Sequence, residues 1–338
     1  MAVSSSAVPL TDYAIMSNEP RVMKITQSLL INGAVLVDIP LFDRKTMLQN
    51  GVRWVNNLPS VTWNSLNTEP TVTKGTPTPF QEQAFLVRNA VDIDHFLVED
   101  ENAIQDPRAV NLGAWLQSLS YDFNDKFINN NFTAGDSNAI VGLKARIDDY
   151  TTYQVNSDMK INAGGVDLSP SGMTAATART FIEYIEQMFT YMGSPSGQGI
   201  TIYMNDYMLR RFRTAVFTMG TTGGLSTYKD QYDRVVDTYR GAKLVDIGRK
   251  ADQTTRIITA TETAGGLAGA SVYTSMYFVK YGEDAFSGWQ YKSLGESIND
   301  IGLIGNGGTI LRTIIDWAVG LYPQHTRCIG RIYGIKLA

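Results

Sequence analysis

The chain has 338 residues, 43% hydrophobic and 18% charged, with 29 basic and 33 acidic side chains and a formal net charge of −4. That size admits one large domain or two to three small ones, and the charge balance excludes a dedicated nucleic-acid binder, which needs a basic footprint. A single cysteine, Cys328, excludes an internal disulfide framework and fits a reducing compartment.

The opening MAVSSSAVPLTDYAIM has no basic stretch followed by an apolar core, so it is not read as a signal peptide. Residues 1 to about 27 have no period and are broken by Ser4, Ser5, Ser6, Pro9 and Pro20. They read as an extended arm, ordered only where it lies on another surface, or as a disordered tail. Leu29 to Leu41 suggests a short strand or helix. The apolar run Ser28 to Phe42 is interrupted by Asn32 and Asp38 and is too short and polar to span a bilayer.

Gly51 to Arg88 reads as a long hairpin. Val61 and Trp63 alternate with Thr62 and Asn64 as in a strand, NTEPTVTKGTPTP (67–79) is a turn-rich tip carrying Lys74 and Gly75, and Gln81 to Arg88 returns. A two-stranded hairpin is marginal in water, so this one needs a partner surface in its own chain or on a neighbour; its prolines and polar residues favour a neighbour. Val91 to His95 alternates as a strand.

DPRAVNLGAWLQSLSYDFNDKFINNN (106–131) reads as the longest helix, capped by Asp106, started by Pro107, running to about Ile128 and stopped by Asn129 to Asn131. Ala109, Leu112, Leu116, Leu119, Phe123 and Phe127 share one face, and Val110, Ala114, Tyr121 and Ile128 form a thinner strip nearly opposite. Asn111, Ser118, Asp122 and Asn124 fill the flanks. Such a helix is either buried in one domain or a strut between a sheet and a second surface.

Beyond it, 139–155 reads as one or two strands, and the Gly-, Ser- and Asn-rich stretch 156–173 as loop and sub-domain boundary. Thr174 caps a helix to Met192 with Ala178, Phe181, Ile182, Ile185, Met188 and Phe189 inward and Gly193 at its end. Ile200 to Met204 is a buried strand, and Asn205 caps a helix to about Phe217 with Leu209, Phe212 and Val216 inward. Residues 220–228 and 261–271 read as loops; 242–247, 256–260, 272–281, 309–315, 317–322 and 328–335 read as strands. No repeat at a solenoid period is visible.

Catalytic signatures are scarce. His95 and His325 are far apart in sequence, with no ligand spacing for a metal, and read as structural histidines. Neither a G-x-S-x-G elbow nor a phosphate-binding G-x-x-x-x-G-K-[ST] loop occurs. Gly302, Gly305, Gly307 and Gly308 read as a turn before a strand. Asp148 and Asp149 would point to opposite faces of a strand and are no acid–base pair. Arg210, Arg211 and Arg213 either bind phosphate or acidic groups on another chain, or form a solvated helix face. No catalytic, cofactor-binding or metal residue and no cofactor is assigned. Two classes remain: a self-assembling structural protein that lays an arm and a hairpin on its neighbours, or a soluble enzyme with an unrecognised site. Hydrodynamic size separates them.

The order of parts — arm, long hairpin, long helix, inserted α/β lobe, returning strands — resembles the major capsid proteins of tailed bacteriophages, with their Hong Kong 97-type fold. LGAWLQSLSYDFNDKFI after Asp106-Pro107 looks like that family's spine helix, and ITIYMNDYMLRRF looks like the strand–Asn–helix step of its axial lobe. YRGAKLVDIG (239–248) and TILRTIIDWAVGLYPQHTRCIGRIYGI (309–335) are similar to its following short strand and its final peripheral strands. The resemblance implies an α+β fold with an N-terminal arm (1–45), an extended loop (46–98), a peripheral domain (99–165 and 301–338, spine helix 107–128) and an axial domain (166–300). It implies a non-enzymatic subunit of an icosahedral shell of pentamers and hexamers, assembled in the host cytoplasm and enclosing double-stranded DNA without sequence-specific binding. It also implies a separate scaffolding protein, a portal and a decoration protein as partners. An encapsulin, which encloses enzyme cargo, is the alternative with the same fold. Some members cross-link a loop lysine to a neighbour's asparagine; Lys74 is near the tip, but no partner is assigned and no cross-link is expected.

Overall fold

The computed structural model describes residues 34–53, 58–99, 107–220, 224–229, 235–263, 272–304 and 308–337. The arm expected over residues 1 to about 27 and the Asp106 cap lie outside them.

Strand β13 (Ile310–Pro323) is the axis of a five-stranded sheet. Its run of β-branched and aromatic residues suits a half-buried pleated surface. β4 (Phe85–Asp94) pairs antiparallel along one edge from Ile310 to Val319. The opposite edge is shared: β12 (Ile298–Ile304) takes Ile310 to Ile315 and β11 (Phe286–Gln290) takes Val319 to Pro323. β1 (Leu41–Asp43) adds in parallel to β11. A separate hairpin pairs β2 (Leu48–Arg53) with β3 (Thr78–Gln83).

The second sheet has seven strands, in the order β5 (Lys160–Asn162), β14 (Ile329–Lys336), β10 (Tyr273–Lys280), β6 (Ile200–Met204), β9 (Ala242–Asp246), β8 (Val235–Tyr239) and β7 (Leu225–Lys229). All of β6 is buried, Thr201 together with its apolar residues, as in a strand covered on both faces. Two more helices belong with this sheet, Ala175–Tyr191 and Asp206–Thr218. The first is capped by Thr174 and Thr177, each accepting from the other's backbone N–H, and the six residues expected inward are buried. Gly193 follows it at φ +65, a turn that favours glycine. The second is capped by the Asn205 side chain, which accepts from Met208 N at 2.7 Å.

In chain order the helices are α1 (Ala34–Asp38), α2 (His95–Glu99), α3 (Pro107–Asn129), α4 (Leu143–Asp148), α5 (Ala175–Tyr191) and α6 (Asp206–Thr218). α3 is a rod of about 34 Å. Its apolar face joins the two sheets: Phe123 meets Trp317 of β13 at 6.1 Å, and Phe127 meets Phe286 of β11 at 5.8 Å and Tyr203 of β6 at 6.0 Å. Leu116, Leu119, Phe123 and Phe127 belong to one continuous core.

Several expectations change. The stretch 139–155 holds α4 rather than strands: Leu143 and Ile147, four apart, are both fully buried, a helical and not a two-residue period. Asp148 therefore ends a helix, with Asp149 as its C-cap. The loop expected over 220–228 gives way from Leu225 to the edge strand β7 (Leu225–Lys229), and 256–260 contributes one isolated bridge at Arg256 instead of a strand. The two segments expected around Asp316 are one strand, because Asp316 sits on its exposed face, paired with Arg88 of β4. No strand forms between Leu58 and Pro77, where Val61 and Trp63 suggested one. The hairpin pairs nearer its root, and its return breaks at Ala84, whose N–H turns to Met47 O at 2.8 Å.

Strand pairing also cuts across the expected domain limits. β11, placed with residues 166–300, belongs to the five-stranded sheet, the expected limit at 300/301 falls inside β12 of that sheet, and β14, placed with 301–338, lies inside the seven-stranded one. After Pro323 the chain crosses over so that β14 pairs antiparallel with β10 from Val279 back to Tyr273.

Candidate assembly interface

The hairpin leaves the body at a root that is unusually well held. Glu82 on β3 takes both guanidinium ends of Arg146 on α4, at 2.5 and 2.8 Å, with the Arg146 side chain 2% exposed. A two-pronged charged contact fixes direction as well as distance. Burial works against the Arg146 charge, and Glu82 outweighs it. Beside it, Arg53 at the end of β2 donates to Tyr153 O at 2.9 Å and to Pro323 O, and lies 3.6 Å over the Phe80 ring. Burial brings the Arg53 pKa down to about 10. Phe80 stacks on Tyr322 at 5.3 Å. Gly51 passes between them; any side chain there would run into the Phe80 ring and the Tyr322 hydroxyl.

Beyond this root the chemistry reverses. Leu58, Val61, Trp63, Leu66 and Val72 are all exposed, Trp63 at 97% and Leu66 at 95%. Local bonds shape the segment: Thr73 Oγ1 donates to Ser60 O at 2.8 Å, and Ser65 and Thr68 share a 2.8 Å bond. Side chains of this size left in water cost roughly 1.5–3 kcal/mol each relative to burial. Lys74 lies exposed in the same segment.

A second apolar set is exposed at the N-terminal end of α3. Val110 and Ala114 of the thinner strip are exposed, Tyr121 is half-buried and Ile128 is fully buried. Arg108 reaches Asp300 of β12 at 2.6 Å and Thr313 of β13 at 2.9 Å. That contact brings the helix end beside exposed Ile301 and Leu303, and α2, with exposed Phe96 and Leu97, follows β4 at the same end of the sheet.

The residues singled out for chemistry disperse. His95 begins α2 near the start of β13, and His325 lies past the other end of that strand, where its Nδ1 accepts from Arg327 N at 3.1 Å. Among the described residues no three His, Cys, Asp or Glu side chains group to hold a metal. Asp148 pairs with Arg331 and Lys160 at 2.9 and 2.7 Å. Arg210 and Arg213 pair within the chain, with Asp206 and Asp237, and Arg211 donates to the Tyr207 hydroxyl at 3.2 Å. Of the glycines, Gly302 sits at φ +86 at an irregular register of β12 and Gly308 at φ +67 in the turn before β13; 305 and 307 lie outside the described residues. Arg53, Glu82 and Arg146 were not singled out in the sequence: they lie far apart along the chain, and no local pattern joins them.

The whole architecture matches solved shells. The chain aligns over 99% of its length with 97% of the chain in the holo-SrpI encapsulin complex of Synechococcus elongatus PCC 7942, at 10% identity and a TM-score of 0.56. It aligns over 92% with 90% of the capsid chain of the native GTA particle, at 9% identity and a TM-score of 0.56. The capsid of Myoviridae Phage XM1 aligns with 91% of this chain over 92% of its own, at 9% identity and a TM-score of 0.52. The fold is therefore the Hong Kong 97-type shell fold. Residues 17–173, which include the hairpin and the spine helix, match the family described as Major capsid protein GP7. That match covers less than half of the chain, and the solved shells share its fold at about a tenth of identical residues. Comparison with curated protein sequences finds no match.

Proposed function

We propose that this chain is a major capsid protein of a tailed phage, with no enzymatic role, and that its copies build an icosahedral shell of hexamers and pentamers around double-stranded DNA, each laying its hairpin (46–98) on a neighbour. The observation that carries this reading is the run of exposed apolar residues from Leu58 to Val72 beyond a rigid root. A segment so held and so apolar supports a partner surface, and contiguous exposed apolar groups mark interaction sites. The exposed end of α3 with Phe96, Leu97, Ile301 and Leu303 is the receiving surface we favour on the adjacent copy. Each such contact is small, and closed symmetry multiplies it.

In this reading the peripheral lobe is the five-stranded sheet with α3, and the axial lobe is the seven-stranded sheet with α5 and α6. A separate scaffolding protein, a portal and a decoration protein complete the particle. The modest negative charge per subunit lets DNA slide along the wall during filling. The test is electron microscopy and sedimentation of the purified protein, with nuclease-protected DNA measured in particles from infected cells. Closed shells carrying DNA are expected; a stable monomer at high concentration would overturn the assembly reading, and particles filled with protein cargo would replace phage capsid with encapsulin.

A further inference from the structure

The five-stranded sheet ends in a long edge. β4 is a ten-residue strand that pairs with β13 in one unbroken register and, among the described residues, with no strand on its other side. His95 N donates to Thr309 O at 2.9 Å, which continues that ladder and fixes its phase. Bonded residues alternate along an antiparallel pair. The odd-numbered residues of β4 therefore bond to β13, and Leu86, Arg88, Ala90, Asp92 and Asp94 turn their N–H and C=O groups outward. All five are exposed. At Ala90 the outward N–H has a local substitute, the side chain of its own neighbour Asn89 at 2.9 Å. The edge across the sheet differs. β12 has a register shift at Asp300 to Gly302, with Gly302 at φ +86, and a bulge of that kind spoils an edge for further pairing. β4 has no such device.

What β4 carries instead is charge. Arg88 pairs with Asp316 at 2.8 Å, and Asp92 accepts from Arg312 Nε at 2.6 Å, each directly across the ladder. Charges on an edge ordinarily turn other strands away. These have a symmetry that reverses the effect for one partner. A second β4 laid antiparallel about a two-fold axis at Ala90 puts Arg88 opposite Asp92 of the second copy, and Asp92 opposite its Arg88. Both residues of each pair already turn their backbone groups outward, as the register requires. The row Asp316, Arg88, Asp92 of the second copy, Arg312 of the second copy then alternates in sign over four strands, and the two-fold repeats it. On the other face Val87 meets Ile93 and Asn89 meets Val91. Leu86 opposite Asp94 is the one pair that contributes nothing. A shift of two residues either way sets Asp92 opposite Ala90 or Leu86 and breaks the alternation.

We propose that the outer edge of β4 is a contact between two copies of this chain, paired antiparallel about a two-fold axis at Ala90 so that two five-stranded sheets become one. The same patch on both partners makes the contact isologous, so it closes after two copies. Main-chain bonds hold it, and the Arg88–Asp92 pairs select the register and the partner. It uses no residue between Leu58 and Val72 and is independent of the hairpin contact.

The test treats the full-length chain carrying Ala90→Cys with a short bismaleimide and reads covalent dimer on a denaturing gel. In this register the two 90 positions have Cα atoms about 5.5 Å apart. Cys328 is buried, so the parent should stay unlinked. Leu86→Cys lies on the same edge but about 27 Å from its counterpart and is the control. Ala90→Cys should give at least about tenfold more dimer than Leu86→Cys, also in the Trp63→Ser, Leu66→Ser background that removes the hairpin tip. Adding Arg88→Asp sets like charges opposite each other in both rows and should cut the yield about tenfold. Arg88→Asp, Asp92→Arg, Arg312→Asp and Asp316→Arg together restore the alternation and should restore the yield. The proposal is overturned if Ala90→Cys links no better than Leu86→Cys, if Arg88→Asp leaves the yield unchanged, if the fourfold exchange fails to restore it, or if linking vanishes with the tip.

Discussion

The lobe built on the seven-stranded sheet and the hairpin beyond Arg53 treat large apolar side chains in opposite ways. In the lobe, Phe181, Phe189, Phe212 and Phe278 are fully buried and meet edge to face, Phe181 with Phe212 at 5.7 Å and Phe189 with Phe278 at 6.2 Å. Between Leu58 and Val72 the side chains of comparable size face water. The lobe buries its large apolar groups within itself, and the hairpin leaves its own exposed. On the assembly proposed above, such a subunit would associate through a part that adds little to its own core.

That contrast can be broken most directly at the tip. Trp63→Ser with Leu66→Ser should abolish shell formation in sedimentation while the urea unfolding of the subunit stays within about 0.5 kcal/mol of the parent; a large fall in stability would mean the tip packs on its own chain. Phe127→Ala should do the reverse, costing about 3–5 kcal/mol in urea unfolding through a cavity where both sheets meet the spine. Glu82→Ala tests the boundary between the two regions. It leaves Arg146 buried without its partner and should cost about 3 kcal/mol, the low end for a broken buried pair because Glu82 is partly exposed. Asn205→Ala should cost about 2 kcal/mol, since the side chain caps α6 and also donates to Ile258 O and Thr274 Oγ1 at 3.1 Å. The smallest effect is at Cys328, whose thiol burial pushes up to about 12. A thiol with a raised pKa stays protonated at pH 8, so no measurable reaction with a disulfide reagent is expected until the chain unfolds.

Much of the lobe was legible because its signals are local. Thr174, Asn205 and Gly193 punctuate helices whose buried faces repeat at three and four residues, and α3 announced itself by length and by Pro107. Strands β8, β11 and β12 were missed because their identity comes from pairing with β9 and β13, not from alternation. The α4 helix was misread because six residues with a buried arginine lack a clean period. The hairpin was read from its composition as needing a partner surface, and its root was invisible: Arg53, Glu82 and Arg146 become one structure only when the chain closes.

The pairing of β4 with β13 has a mechanical consequence. A neighbour pulling on the hairpin pulls on β4 along its length, and β4 lies antiparallel to β13 from Phe85 to Asp94. The hydrogen bonds of that ladder stand across the pull, so the load falls on them together and not one after another. From β13 it passes through Trp317 to Phe123 and along the spine helix. In the shell proposed above, swelling would thus tension each subunit through its longest strand pairing.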